Sequence, residues 1–217
     1  MIKLYGIPLS YNVSKVRYCL NYLGLAYDWV QTNPIKGENR TPQFLENFPT
    51  GKVPAIEIDG VKLFESNAIN KYLTATNKSP IYPTDVKKRA FADAWMDYVS
   101  IHVGQAIDRI LVNRVLAPMT NQKVDEGSIQ AGIEWLDKYF PILEKQLSKN
   151  KYLAGQEFSL ADISLLAVLD PCELIQISLA KYPHITKWRN GLKIQSFYQK
   201  CYKDYTQFVQ DAVSAKT

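Results

Sequence analysis

The chain reads as two units of different grammar. A small α/β unit with the order β-α-β-α-β-β-α occupies residues 1–77, and everything from Asp85 onward reads as helix. Two observations carry this division. The Asp59-Gly60 pair joins two short apolar runs, Ala55–Ile58 and Val61–Phe64, which is a strong hairpin signal inside the first unit. Residues 78–84, with Pro80 and Pro83 among several turn formers, read as a linker, and the strand grammar does not return after it.

Ile2–Tyr5 alternates as a strand does, and Ile7-Pro8 breaks it. From Tyr11 to Leu23 the residues Val13, Val16, Cys19, Leu20 and Leu23 recur at three- and four-residue spacing, one face of a helix. Gly24 stands where a helix C-terminal glycine belongs. Tyr27–Gln31 is the second strand, Asn33–Thr41 a polar loop, and Thr41–Asn47 a short helix with Phe44 and Leu45 inward. Ser66 begins a helix to Thr76, with Ile69, Tyr72 and Leu73 on one side. In the second unit a long helix runs through Trp95, Tyr98 and Ile110 to Pro118, and a second spans Gln122–Leu147. A third begins at Ser159, where Ser159 and Asp162 form a capping box and Phe158 and Ile163 occupy staple positions. Further helices are expected at Cys172–Ala180 and His184–Lys193.

The 217 residues are 47% hydrophobic and 22% charged, the balance of an ordinary soluble globular protein. The chain lacks a run of 18 apolar residues and an apolar leader, so neither a membrane span nor a signal peptide is expected. Cys19, Cys172 and Cys201 are scattered and odd in number, without CxxC or metal-ligand spacing. Free thiols in a reducing, cytoplasmic compartment are expected, and no metal. The net charge of +5 is spread among acids and forms no dense block, which argues against a nucleic-acid partner; a positive field also suits an anionic substrate.

Residues 51–66 concentrate the chemistry. Val53-Pro54 opens a strand whose backbone can pair with an extended peptide, and Glu65-Ser66 at a helix start can hold the charged head of an amino acid. Together they point to a small, charged, extended peptide. Ser10 sits at the start of the first helix, where free N–H groups and the positive dipole end favour an anion; a plain N-cap is the structural alternative.

Leu4–Ser10, Phe44-Leu45, Gly51–Ala55, Phe64–Ile69 and Ser159–Asp162, in this order and spacing, resemble the soluble glutathione transferases over nearly the whole chain. The resemblance implies a thioredoxin-like domain at 1–77, a linker at 78–84 and an all-helical domain at 85–217 that contributes the pocket for an electrophile. It implies conjugation of glutathione, a co-substrate, to largely apolar small electrophiles without a prosthetic group. Ser10 would donate to the thiolate and lower the thiol pKa. Tyr5 and Tyr11 are rival hydroxyls and Ser14 a weaker third. The Val53-Pro54 bond would be cis, with the Val53 backbone pairing to the cysteinyl part. Glu65 and Ser66 would hold the γ-glutamyl end, and Arg40 or Lys52 the glycyl carboxylate, with Asn39 beside Arg40 in the loop.

The resemblance also implies a homodimer, and in several members of that family an acid or amide at the place of Asp97 reaches the partner's glutathione; a surface or interface charge is the alternative reading. Tyr98, His102 and Arg109 are candidates for the acceptor-pocket wall, with His102 read as structural. Phe91, Trp95 and Tyr98 on the long helix and Tyr72 on the third helix offer aromatic surface for an interface. Two other readings share the fold: a glutathione-dependent isomerase of the maleylacetoacetate type, whose Ser-Ser-Cys motif Leu9–Asn12 lacks, and a non-catalytic interaction protein.

Overall fold

The computed structural model of the protein describes residues 1–202, 205–206 and 209–210. The other positions of the expected helical domain, which runs to 217, lie outside them. Strand β1 (Ile2–Gly6) pairs in parallel with β2 (Asp28–Gln31) and antiparallel with β3 (Ala55–Ile58), which pairs antiparallel with β4 (Val61–Phe64). The sheet order is β2-β1-β3-β4, and Leu4 at its centre faces Trp29 on one neighbour and Ile56 on the other. Helices α1 (Tyr11–Leu23), α2 (Pro42–Asn47) and α3 (Ser66–Thr76) complete the first domain. This is the mixed four-stranded sheet of a thioredoxin-like domain. The expected loop at Asn33–Thr41 is tighter than its composition suggests, because it contains two 3₁₀ turns, Pro34–Lys36 and Glu38–Arg40.

Helix α1 is buried on more than one side. Val13, Val16, Cys19 and Leu20 have no exposed surface, as the periodicity requires, and Tyr18 on another face is buried too. That second face packs on α8 (Leu160–Val168) and α10 (Ser196–Gln199) of the helical domain. Both Tyr18 and Tyr198 donate to the buried Asp170 carboxylate, whose pKa burial pushes up to about 7 despite Arg189 nearby. Each fully buried aliphatic such as Ile69 or Leu73 contributes about 1.5–3 kcal/mol relative to exposure.

The helical domain opens with α4 (Val86–Tyr98), α5 (Gln105–Leu111) and α6 (Ala117–Met119), joined without a break by π-helical segments Val99–Gly104 and Val112–Leu116. One long helix was expected, and π insertions leave no sequence signature of their own. Helix α7 (Glu126–Lys149) starts later than Gln122 because Asp125 caps it, accepting from Ser128 N–H at 3.0 Å. It crosses α5 closely at Gly132, where a Cβ would stand 2.8 Å from the Ala106 carbonyl oxygen. Helix α8 is buried all round, as a helix apolar on most of its faces must be, and its Asp162 and Ser164 are buried with it. Its capping acid does more than predicted: Asp162 accepts from Ser159 N–H (2.9 Å), Leu153 N–H (2.8 Å) and Trp188 Nε1 (3.0 Å). Phe158 packs against the rings of Tyr22, Tyr152 and Phe197.

The helix expected at Cys172–Ala180 does not form. A 3₁₀ turn at Asp170–Cys172 is followed by turns, and Gln176 takes a left-handed backbone (φ 58°) that ends the helical path. Helix α9 (Pro183–Lys193) follows, close to its expected span.

Candidate functional site

Ser10 is the N-cap of α1, and its Oγ accepts from Val13 N–H at 3.4 Å. That bond uses a lone pair and leaves the O–H free to donate. The approach to Ser10 is tightly held. A Cβ on Gly6 would stand 2.7 Å from a Val13 methyl, so only glycine lets the strand end run this close to the helix. From the far end of the chain, the Tyr202 hydroxyl donates to Pro8 O at 2.8 Å and the Tyr205 hydroxyl to Leu9 O. These two tyrosines lie 194 and 196 residues from the carbonyls they clamp, and nothing local in the sequence points to them.

Ser10 opens onto an apolar pocket of about 310 Å³, walled by Ile7, Leu9, Ile35, Leu111 and Leu116. A polar pocket of about 490 Å³ adjoins it, with Tyr11, Asn12, Lys52, Val53 and Asp108 as shared wall. Glu65, Ser66, Asp97 and Lys15 line the polar pocket, and Arg40 lies at the apolar one. Thus the structure gathers Ser10, Arg40, Lys52, Val53, Pro54, Glu65, Ser66 and Asp97 along one cleft between the domains. A larger hollow of about 900 Å³, beside Tyr22, Tyr152 and Trp188, holds none of them.

The rivals to Ser10 are engaged elsewhere. Tyr5 packs against Phe44 and Phe48 and donates to Glu57 at 3.3 Å, outside both pockets; burial first, then Glu57, raises its pKa. Tyr11 lines the cleft, but its buried hydroxyl donates to Gly104 O at 3.4 Å, and burial with Asp108 holds its pKa well above the usual value. Ser14 is buried and bonds Ser10 O and the Tyr202 hydroxyl, both at 3.4 and 3.3 Å respectively.

The Val53-Pro54 bond is cis. Before it, Gly51 has φ 55°, and a Cβ there would meet Arg40 Nη1 and Leu45 Cδ2, each at 2.9 Å. The loop is tied to Gly51 by Asn39, whose Nδ2 donates to Gly51 O. Glu65 has a left-handed backbone (φ 67°), rare outside glycine, which turns the β4 end into α3. Ser66 follows, 8% exposed, and its hydroxyl donates to Asn12 Oδ1 at 3.4 Å. Asp108 on α5 is open to the cleft, but protein crowds its carboxyl on the other sides and raises its pKa.

Asp97 lines the polar pocket of its own chain. Tyr98, His102 and Arg109 are absent from both pockets. Tyr98 donates to Tyr139 O and stacks near His102, and Arg109 lies over the Trp135 ring (4.4 Å) and donates to Ser128, because this helix face turns toward α7. The apolar pocket takes Ile7, Leu9 and Ile35 from the first domain and Leu111 and Leu116 from the helical domain. Lys15, which no motif marked, enters the site from α1.

A thioredoxin-like domain with a cis-proline loop, a polar helix start and a serine N-cap on one cleft against a helical domain has the architecture of the soluble glutathione transferases. Residues 1–75 match the glutathione S-transferase N-terminal domain family, and residues 106–194 the C-terminal domain family. The chain is 32% identical to "Glutathione S-transferase 1" of Zea mays and 34% identical to "Probable glutathione S-transferase GSTF2" of Oryza sativa, covering 92% of this chain and 94% of each relative. Among solved structures it resembles glutathione S-transferase-I bound with lactoylglutathione (TM-score 0.85, 31% identity, 92% of this chain, 97% of the other). It also resembles glutathione transferase F7 of Populus trichocarpa (0.85, 31%, 93% and 97%). The chain belongs to the glutathione S-transferase family.

Proposed function

We propose that this protein conjugates glutathione to small, largely apolar electrophiles, with Ser10 meeting the sulfur at the junction of the two pockets. The observation that carries this reading is that a polar pocket and an apolar one share a wall of Tyr11, Asn12, Lys52, Val53 and Asp108, with Ser10 in the apolar pocket next to Tyr11. The peptide would lie along the polar pocket, its γ-glutamyl end at Glu65, Ser66 and Asp97, its cysteinyl part along the Val53 backbone, and its glycyl carboxylate toward Lys52 or Arg40. The Ser10 O–H would donate to the thiolate and lower the thiol pKa, the thiol proton leaving to solvent. The sulfur then attacks the electrophile in the apolar pocket. A C–S bond forms, and the leaving group departs with its electron pair. Proximity supplies much of the acceleration.

In this reading residues 1–77 bind glutathione, 78–84 link the domains and 85–217 help to enclose the electrophile. Glutathione is a co-substrate and no cofactor takes part. The protein works as a cytoplasmic homodimer. Support for the dimer is exposed apolar surface on the long helix, where Phe91 and Ile101 are each 54% exposed, and a two-fold contact needs few such residues per chain. Light scattering at micromolar concentration is expected to give twice 24.8 kDa. Support for a cytoplasmic site is three unpaired thiols and, among the described residues, no helix long and apolar enough to cross a membrane. The direct test is incubation with glutathione and an activated aryl halide, with mass spectrometry for the thioether. No conjugate above the uncatalysed rate, across a panel of electrophiles, overturns the reading.

A further inference from the structure

We infer that Lys15 receives the α-carboxylate at the γ-glutamyl end of glutathione, on the floor of the polar pocket. The inference rests on the glutathione reading of that pocket and adds a binding residue to it. Lys15 is 2% exposed, yet it lines the pocket together with Glu65, Ser66 and Asp97. An ammonium has three donors, and buried charges are ordinarily paired. Among the described residues its Nζ makes one long hydrogen bond, 3.5 Å to Ser100 Oγ, and no ion pair.

The ammonium is also positioned. Ser100 accepts from Asn67 Nδ2 at 3.0 Å, and Asn67 Oδ1 accepts from Ser164 at 3.1 Å. A neutral chain running from α8 through α3 to the π segment thereby ends on the Lys15 ammonium. The Tyr11 ring lies 5.7 Å away. Asn67 directly follows Ser66, so this chain holds the ammonium on the side of the α3 start. The charges then divide as a zwitterionic amino-acid head does. Glu65 and Asp97 suit its ammonium; Lys15, Ser66 and the α3 N–H groups suit its carboxylate.

This arrangement has a pH signature. The titratable groups facing Lys15 are Tyr11 on its own helix, Glu65, Asp97, Asp108 and Lys52. Burial lowers the Lys15 pKa to about 8, against the opposing pull of Asp108 and Glu65. A bound carboxylate favours protonated lysine and so raises that pKa. Binding is therefore strong below about pH 8 and weakens above it, where the free site has lost its proton.

The test is calorimetric binding of S-methylglutathione, whose blocked thiol cannot titrate, and of its analogue with 4-aminobutyryl in place of γ-glutamyl, which lacks only the α-carboxylate. The wild type should prefer the parent by about tenfold or more, the scale of a hydrogen bond to a charged group. Lys15→Met should bind the parent about tenfold more weakly and barely distinguish the two ligands. Lys15→Arg should keep the preference without its loss above about pH 8. A folded Lys15→Met protein that still prefers the parent as the wild type does overturns the inference. So does a wild-type preference that stays constant from about pH 6.5 to pH 9, a measurement that needs no variant. A wild type that binds neither ligand overturns the glutathione reading itself.

Discussion

The polar end of the cleft, about 490 Å³ around Lys15, Glu65 and Ser66, takes Lys52, Val53, Pro54, Glu65, Ser66 and Asn67 from one short stretch of chain. The apolar end, about 310 Å³ around Ser10, takes Ile7 and Leu9 from the loop after β1, Ile35 from a 3₁₀ turn and Leu111 and Leu116 from the long helix. The first is a motif with added partners; the second exists only when distant segments meet. On the proposed reading, the difference teaches that substrate holding and substrate choice are separable in this protein. Polar groups at fixed spacing recognise one peptide, whereas an apolar wall is redefined by any residue that changes its volume.

Ser10 lines the apolar end next to Tyr11 of the shared wall, and replacing it breaks the comparison most. Ser10→Ala should cut kcat with glutathione by about 10²-fold, the low end for losing one stabilising donor, and raise the pKa of the bound thiol. The thiolate absorbance followed against pH reads that pKa directly. If Ser10→Ala is silent and Tyr11→Phe is not, the sulfur belongs to Tyr11 despite its bond to Gly104.

A smaller effect separates the ends. Glu65→Ala should raise the KM for glutathione about tenfold, the scale of one lost charged contact, and leave the KM for the electrophile unchanged. Ile35→Ala, on the opposite end and 40% exposed, should do the reverse by about threefold, since little apolar area is at stake. Initial rates with each substrate varied in turn distinguish the two. Equal changes in both constants at either position would show the cleft to be one coupled site.

Much of the first domain is local in origin, and so was legible. The Asp59-Gly60 turn, the proline opening β3 and the α1 periodicity place β3, β4 and α1 on their expected residues. Ser159 and Asp162 announced α8, but not that Asp162 also accepts from Leu153 and Trp188, with burial pushing its pKa up to about 6. Cys172–Ala180 reads as helix in sequence and does not form one, because apolar spacing cannot reveal the left-handed turn at Gln176.

By itself the sequence determined the order of elements, the domain grammar and the short motifs that bring Ser10, Val53, Glu65 and Ser66 to helix and strand starts. These depend on interactions within a few residues: turn preference, capping and periodic burial. Only the tertiary structure decided what surrounds each group. It turned Tyr98, His102 and Arg109 toward α7 and put Asp97 in its own chain's pocket. It clamped the Ser10 loop with Tyr202 and Tyr205. It also buried Lys15 where α1, α3 and the long helix meet. A lysine on a helix reads as solvated until the packing of three elements takes its water away, and no pattern along the chain encodes that loss.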